Sequence, residues 1–151
     1  MTTLYLIRHA QAGKPSPEYP DDSQRPLIDK GFKQAQTLAK VFETLEIKFD
    51  ALFSSPYTRA MQTAQPLEAC LKTGKIQYLD SLATSDYKGL LEDIKKNAKT
   101  SKVIAAVGHY PYLNELASYV LGETIVINFK KSAFMVLSGE LEAGQMTLEM
   151  F

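Results

Sequence analysis

Short apolar runs of β-forming residues alternate with helix-period patterns along nearly the whole chain, and no other feature limits its fold as strongly. Leu4-Tyr-Leu-Ile7, Ala51-Leu-Phe53, Ile76-Gln-Tyr-Leu79 and Val103-Ile-Ala-Ala-Val107 read as strands. Most are continuous apolar runs of the kind that parallel sheets bury on both faces. Between them the period becomes helical. Phe32, Ala35, Leu38, Ala39, Phe42 and Leu45 share one face, as do Ala60, Ala64, Leu67 and Leu71. Tyr87, Leu90, Leu91, Ile94 and Ala98 form a third such set, and Leu113, Leu116, Ala117, Val120 and Leu121 a fourth. Strand, helix, strand in this rhythm implies right-handed crossovers. Ala133 to Leu137 and Met146 to Phe151 read as two late strands joined by a turn from Ser138 to Gln145. The expected fold is α/β: a three-layer sandwich with a mainly parallel sheet, helices on both faces and an antiparallel edge near the C-terminus.

The 151 residues suit a single domain, 1–151. Lys and Arg number 17 and so do Asp and Glu, which removes the electrostatic footprint of a general nucleic-acid or anionic-membrane binder. The N-terminal apolar run is shorter than a signal-peptide core, and no segment approaches the ~20 apolar residues of a membrane span. A cytoplasmic monomer is the expectation. The single cysteine, Cys70, excludes an internal disulfide framework, and with no histidine near it in sequence it reads as structural.

One stretch breaks the rhythm. From Gln11 to Pro26 the chain carries four prolines and little periodic apolar content, so it reads as a long loop between the first strand and the first helix. Pro66 lies inside a helical pattern and predicts a kink or an early helix end.

The chain has two histidines, His9 and His109, and each directly follows an apolar strand. Ligands of open α/β sheets bind beyond the carboxyl ends of the parallel strands, so both imidazoles are expected in one site. Arg8 adjoins the first. Arg59 follows the second strand in Ser54-Ser-Pro-Tyr-Thr-Arg59-Ala, where Ser55 reads as an N-cap and Pro56 as the first helical residue. That places Arg59 on the first turn of a helix, near its positive end. Arg25, at the end of the long loop, can reach the same edge. The alternative for Arg59 and Arg25 is an ordinary solvated surface position.

Two histidines with two or three arginines suit phosphoryl transfer without a metal or other cofactor. Arginines hold phosphate oxygens bidentately, one neutral imidazole attacks phosphorus, and water later releases the phosphohistidine. Neither a Gly-x-x-x-x-Gly-Lys-Ser/Thr segment nor a Gly-x-Gly-x-x-Gly after the first strand is present to bind a nucleotide.

Leu-Ile-Arg8-His9-Ala10, Ser54-Ser-Pro-Tyr-Thr-Arg59-Ala-Met-Gln-Thr63 and Val107-Gly-His109 resemble, in order, the three signature segments of the histidine phosphatase, or phosphoglycerate mutase-like, superfamily. The short chain and the Arg25-Pro26-Leu27 segment followed by Gly31 and Gln34-Ala35 resemble its small phosphohistidine phosphatases. The resemblance implies that His9 is the nucleophile, that Arg8, Arg59 and His109 complete the phosphate pocket, and that Arg25 is a further phosphate contact. It implies a phosphatase acting on phosphohistidine in a protein partner. The alternatives are a phosphomonoesterase for a small phosphate ester, and a weakly catalytic module that binds phosphoproteins. The sequence departs from that pattern at three places. Ala10 stands where most members have Gly. Ile28 replaces a capping hydroxyl for which Asp29 is the candidate substitute. The region from Asp80 to Tyr87 lacks the acidic proton donor of larger members, and Asp86 reads either as a helix cap or as that donor. The missing lid insertions predict an open site.

Overall fold

The computed structural model describes residues 1–150. Six strands form one sheet: β1 (Thr2–Arg8), β2 (Ala51–Ser54), β3 (Gln77–Tyr78), β4 (Val103–Gly108), β5 (Phe134–Gly139) and β6 (Met146–Met150). Their order is β3-β2-β4-β1-β5-β6. The first four run parallel, whereas β5 is antiparallel to β1 and β6 to β5, which completes the expected mixed sheet. Phe151, expected to end the last strand, lies outside the described residues. The helices are α1 (Asp29–Thr44), α2 (Thr58–Ala64), α3 (Tyr87–Asn97) and α4 (Tyr112–Leu121). None is long and apolar enough to cross a membrane.

Strand alternation sorts the core into two layers. Leu4, Leu6, Ile104 and Ala106 face Leu90, Leu91 and Ile94 of α3 and Leu113, Leu116 and Val120 of α4. Their neighbours Tyr5, Ile7, Ala105 and Val107 face Leu38 and Phe42 of α1 and Ala60 and Ala64 of α2. Both faces of β1 and β4 are therefore covered, which explains why Leu4 to Ile7 and Val103 to Val107 are apolar at every position. Tyr5, Phe42 and Phe49 add a cluster of edge-to-face rings with centroids 5.3 to 5.7 Å apart.

Four local expectations change. The third strand shrinks to two exposed residues because it is the sheet edge, paired with β2 alone. The buried face of α1 is Gly31, Ala35, Leu38 and Phe42, while Phe32 and Leu45 are 39% and 56% exposed. The helix is turned this way because Gly31 lies against the chain beyond β1: a Cβ there would sit 2.0 Å from the carbonyl oxygen of Gln11. Ile28 is the N-cap of α1, with no side-chain cap bond, and Asp29 is the first helical residue, so Asp29 does not replace the missing hydroxyl. Finally, α2 starts two residues later than expected, with Tyr57 rather than Ser55 as its N-cap. It stops at Ala64, where Pro66 cannot donate the next helical bond, and the chain tightens into a 3-10 turn over Gln65–Cys70.

Candidate active site

Register brings the two histidines together. Arg8 pairs with Gly108 at the ends of β1 and β4, so the next residue on each strand is a histidine, and the His9 amide donates to the Gly108 carbonyl at 3.0 Å. The imidazoles are 8% and 6% exposed as residues, with ring centroids 5.2 Å apart. Neighbouring bonds hold this end of the sheet still. Thr63 Oγ1 accepts from the Ala10 amide at 2.9 Å and donates to the Arg59 carbonyl at 2.7 Å, tying the end of β1 to α2. The Gln34 side chain accepts from the Gln11 amide at 2.9 Å, and the Gln62 side chain from the Leu27 amide at 2.8 Å.

His9 is held in one tautomer. Its Nδ1 lies 2.7 Å from the carbonyl oxygen of Ala10, which only accepts, so Nδ1 carries the proton and the lone pair of the neutral ring is on Nε2. His109 Nε2 lies 2.7 Å from Ser55 Oγ. Ser55, expected as a cap, instead links the Tyr57 amide to this imidazole.

Burial pushes the His9 pKa down to about 4, helped by the charges of Arg59, Arg8 and Lys131 and opposed by the bond to Ala10. His109 falls to about 3, again chiefly by burial, then by His9, Arg59 and Arg8. Both rings are neutral at pH 7. In the unfolded chain they titrate at about 6.5, so as pH falls the unfolded state takes up protons first. Stability is complete above about pH 6.5 and declines toward pH 4, by on the order of 3 kcal/mol from His9 alone. Urea midpoints measured across this window should fall, and should fall much less in a His9→Gln/His109→Gln double variant. Equal slopes in the two proteins would contradict the burial argument.

Three arginines line a cavity of about 510 Å³ with both histidines, Tyr57, Tyr110, Tyr112, Lys14 and Lys131. Arg59, the second residue of α2, is 7% exposed. Its Nη1 donates to the Asp22 carbonyl at 2.8 Å and its Nη2 to Asp22 Oδ2 at 3.0 Å, with the Tyr57 ring 4.9 Å beneath the guanidinium. Arg8 donates from Nη1 to the Phe129 carbonyl at 2.6 Å, lies 5.4 Å over the Tyr110 ring, and has an Nε with no protein partner. Arg25 donates from Nε to Asp22 Oδ1 at 2.8 Å and from Nη1 to the Gly13 carbonyl. The four residues expected to share a site therefore do so, and Arg25 joins them at the cavity wall.

Sequence reasoning passed over Asp22. It sits in a 3-10 turn (Asp22–Gln24) within the long loop, and its carboxylate bridges Arg25 and Arg59. The Asp-x-x-Arg spacing was the available signal, since residues three apart in a turn of this kind lie side by side. Asp86 caps α3, its Oδ1 accepting from the Gly89 amide at 2.9 Å, and it is not among the residues lining this cavity. A larger cavity of about 860 Å³ lies along α4 and residues 122–127; it shares Tyr110 with the histidine cavity but contains neither histidine.

Residues 4–102 match the family model of the histidine phosphatase superfamily (branch 1). The fold is similar to that of the protein histidine phosphatase SixA complexed with tungstate, with a TM-score of 0.84 at 22% identity over 98% of this chain and 94% of the other. It is similar to a chain from Agrobacterium tumefaciens assigned as the phosphohistidine phosphatase SixA, with a TM-score of 0.79 at 26% identity over 91% and 92%. A phosphoserine phosphatase from Entamoeba histolytica, in complex with phosphoserine, gives a TM-score of 0.75 at 16% identity over 100% and 96%. Because the family model takes in well over half of its residues, and all three signature segments contribute residues to one cavity, the chain belongs to the histidine phosphatase superfamily, with a SixA-like fold, and is a phosphatase.

Proposed function

We propose that this protein removes the phosphoryl group from phosphohistidine in a partner protein, without a metal ion, through a covalent phosphohistidine at His9. The observation that carries this reading is the His9 tautomer: with Nδ1–H on the Ala10 carbonyl, Nε2 is an unprotonated nucleophile at the floor of a cationic cavity. Arg8, Arg25, Arg59 and His109 hold the phosphoryl oxygens and offset the charge that develops as phosphorus becomes five-coordinate. Nε2 attacks phosphorus, the leaving group departs, and the His9 ring becomes a cation whose Nδ1–H stays on Ala10. Water then attacks the same phosphorus and His9 leaves as neutral imidazole.

The choice of substrate rests on what the cavity lacks. Its sole carboxylate among the described residues is Asp22, which Arg25 first and Arg59 after it hold below the usual carboxylate range, so it is ionised and has no proton to donate. Asp86 is engaged as a cap. A cavity with no carboxylic acid to protonate the leaving group favours good leaving groups, and the imidazole of phosphohistidine is a far better one than an alkoxide.

A graded series of phosphate esters, assayed after exhaustive chelation, tests this. We expect kcat/KM to fall steeply with leaving-group basicity, by about a hundredfold or more between nitrophenyl phosphate and serine phosphate. A flat dependence that turns steep in Asp86→Asn would assign the proton donor to Asp86 and a phosphomonoester as substrate. Stoichiometric binding without turnover would leave a phosphoprotein-binding module.

A further inference from the structure

Moving a phosphoryl group from a substrate histidine to His9 transfers it between two imidazoles, so the chemical requirements of the two rings mirror each other. The attacking ring keeps a proton on its far nitrogen throughout, held by the Ala10 carbonyl at 2.7 Å. The leaving ring must likewise carry a far N–H when its P–N bond breaks, because otherwise it departs as a strongly basic imidazolide. An acceptor in the cavity that binds this N–H favours the protonated ring and so speeds its departure.

We propose that Asp22 is this acceptor, a catalytic residue that selects phosphohistidine by binding the far N–H of the substrate imidazolium. The inference rests on the substrate reading above. Asp22 is the one carboxylate among the described residues of the cavity, and its side chain is 53% exposed, so a ring entering from solvent can meet it. Arg25 Nε occupies one lone pair of Oδ1 at 2.8 Å, and Oδ2 accepts from Arg59 Nη2 at 3.0 Å and from Arg25 Nη2 at 3.5 Å. An ionised carboxylate offers about four such positions, two on each oxygen, which leaves Oδ1 able to accept another donor. The same two guanidinium groups keep it ionised, the state an N–H acceptor requires. Through Arg59 it is also fixed relative to the phosphoryl site, so a substrate ring on Asp22 and its phosphorus on the arginines are placed together.

The step balances without a proton donor. The His9 Nε2 lone pair forms the new P–N bond as the old one breaks. The electron pair of the broken bond goes to the substrate ring, which leaves as neutral imidazole with its N–H still on Asp22. The positive charge passes to the His9 ring. A phenol or alcohol leaving group departs as an oxyanion instead, and a carboxylate offers it nothing. This difference gives the test its direction.

The parent and Asp22→Asn are compared on N-phosphoimidazole and on nitrophenyl phosphate. Because Asp22 also touches two arginines, both rates can change, and the readout is the ratio of the two kcat/KM values. We expect Asp22→Asn to lower the phosphoimidazole-to-nitrophenyl ratio about tenfold or more, the loss of one charge-assisted hydrogen bond. A ratio that stays constant, whether both rates fall together or neither falls, would overturn the assignment. A substrate-side version needs no variant: a ring methylated on its far nitrogen cannot donate. After correction for uncatalysed hydrolysis, the parent should disfavour it by a similar factor, and equal use of the two rings would also overturn the assignment. If the parent consumes nitrophenyl phosphate but not phosphoimidazole, the substrate reading itself falls, a result distinct from an unchanged ratio.

Discussion

Replacing His9 with alanine should abolish turnover to within the background, a loss of at least about a thousandfold, because it removes the group proposed to form the covalent intermediate. Brief incubation of the parent with labelled substrate, followed by denaturation, should yield one phosphoryl group per chain in an acid-labile, base-stable bond, the signature of a phosphoramidate. The variant should show none. The neighbouring ring gives an internal comparison. His109 lies 5.2 Å away centroid to centroid and is also neutral, so it could in principle be the residue labelled. Its Nε2 is engaged with Ser55 Oγ, whereas His9 Nε2 carries a free lone pair. An adduct that persisted in His9→Ala and vanished in His109→Ala would reverse the two roles.

Arg59→Ala should lower kcat/KM by about two to three orders of magnitude, the range seen when one donor to a developing charge is removed, and should weaken vanadate binding in parallel. Arg25→Ala should cost far less. The two arginines share Asp22 as partner but differ in what their charges reach. Arg59 is buried and its charge acts on both imidazoles, lowering both pKa values; that of Arg25 bears on Arg59 and Asp22. Arg59→Lys should recover little, because an ammonium cannot keep the paired bonds to the Asp22 carbonyl and carboxylate and still present a planar edge to phosphate. Equal losses in Arg59→Ala and Arg25→Ala would mean that the cavity acts as a diffuse positive field rather than through a fixed guanidinium.

Much of the sheet could be read from local pattern alone. Leu4 to Ile7 and Val103 to Val107 are apolar at every position, and a run of that kind fits a strand covered on both sides wherever it falls. Placing His9 and His109 two residues beyond those runs needed no knowledge of contacts, because parallel strands in one sheet end at one edge. Arg8 and Arg59 were legible for the same reason. Pro66 marked the end of α2 because a missing N–H is a local fact.

Other features depend on what meets what across the fold. The rotation of α1 is set by Gly31 against the Gln11 carbonyl, a close approach between residues twenty apart, so the periodicity that favoured Phe32 and Leu45 misjudged the buried face. Ser55 has the right chemistry for a helix cap, yet its hydroxyl serves His109, fifty-four residues away. Asp22 looks like an ordinary loop carboxylate until Arg59, thirty-seven residues on, is brought beneath it. Periodicity and residue type settle which segments become strands and helices and which chemistry ends each strand, because both act over a few neighbouring residues. Tautomer, protonation and the pairing of Asp22 with the arginines arise only when distant segments exclude water from one another, and burial there sets the charge that each group can carry.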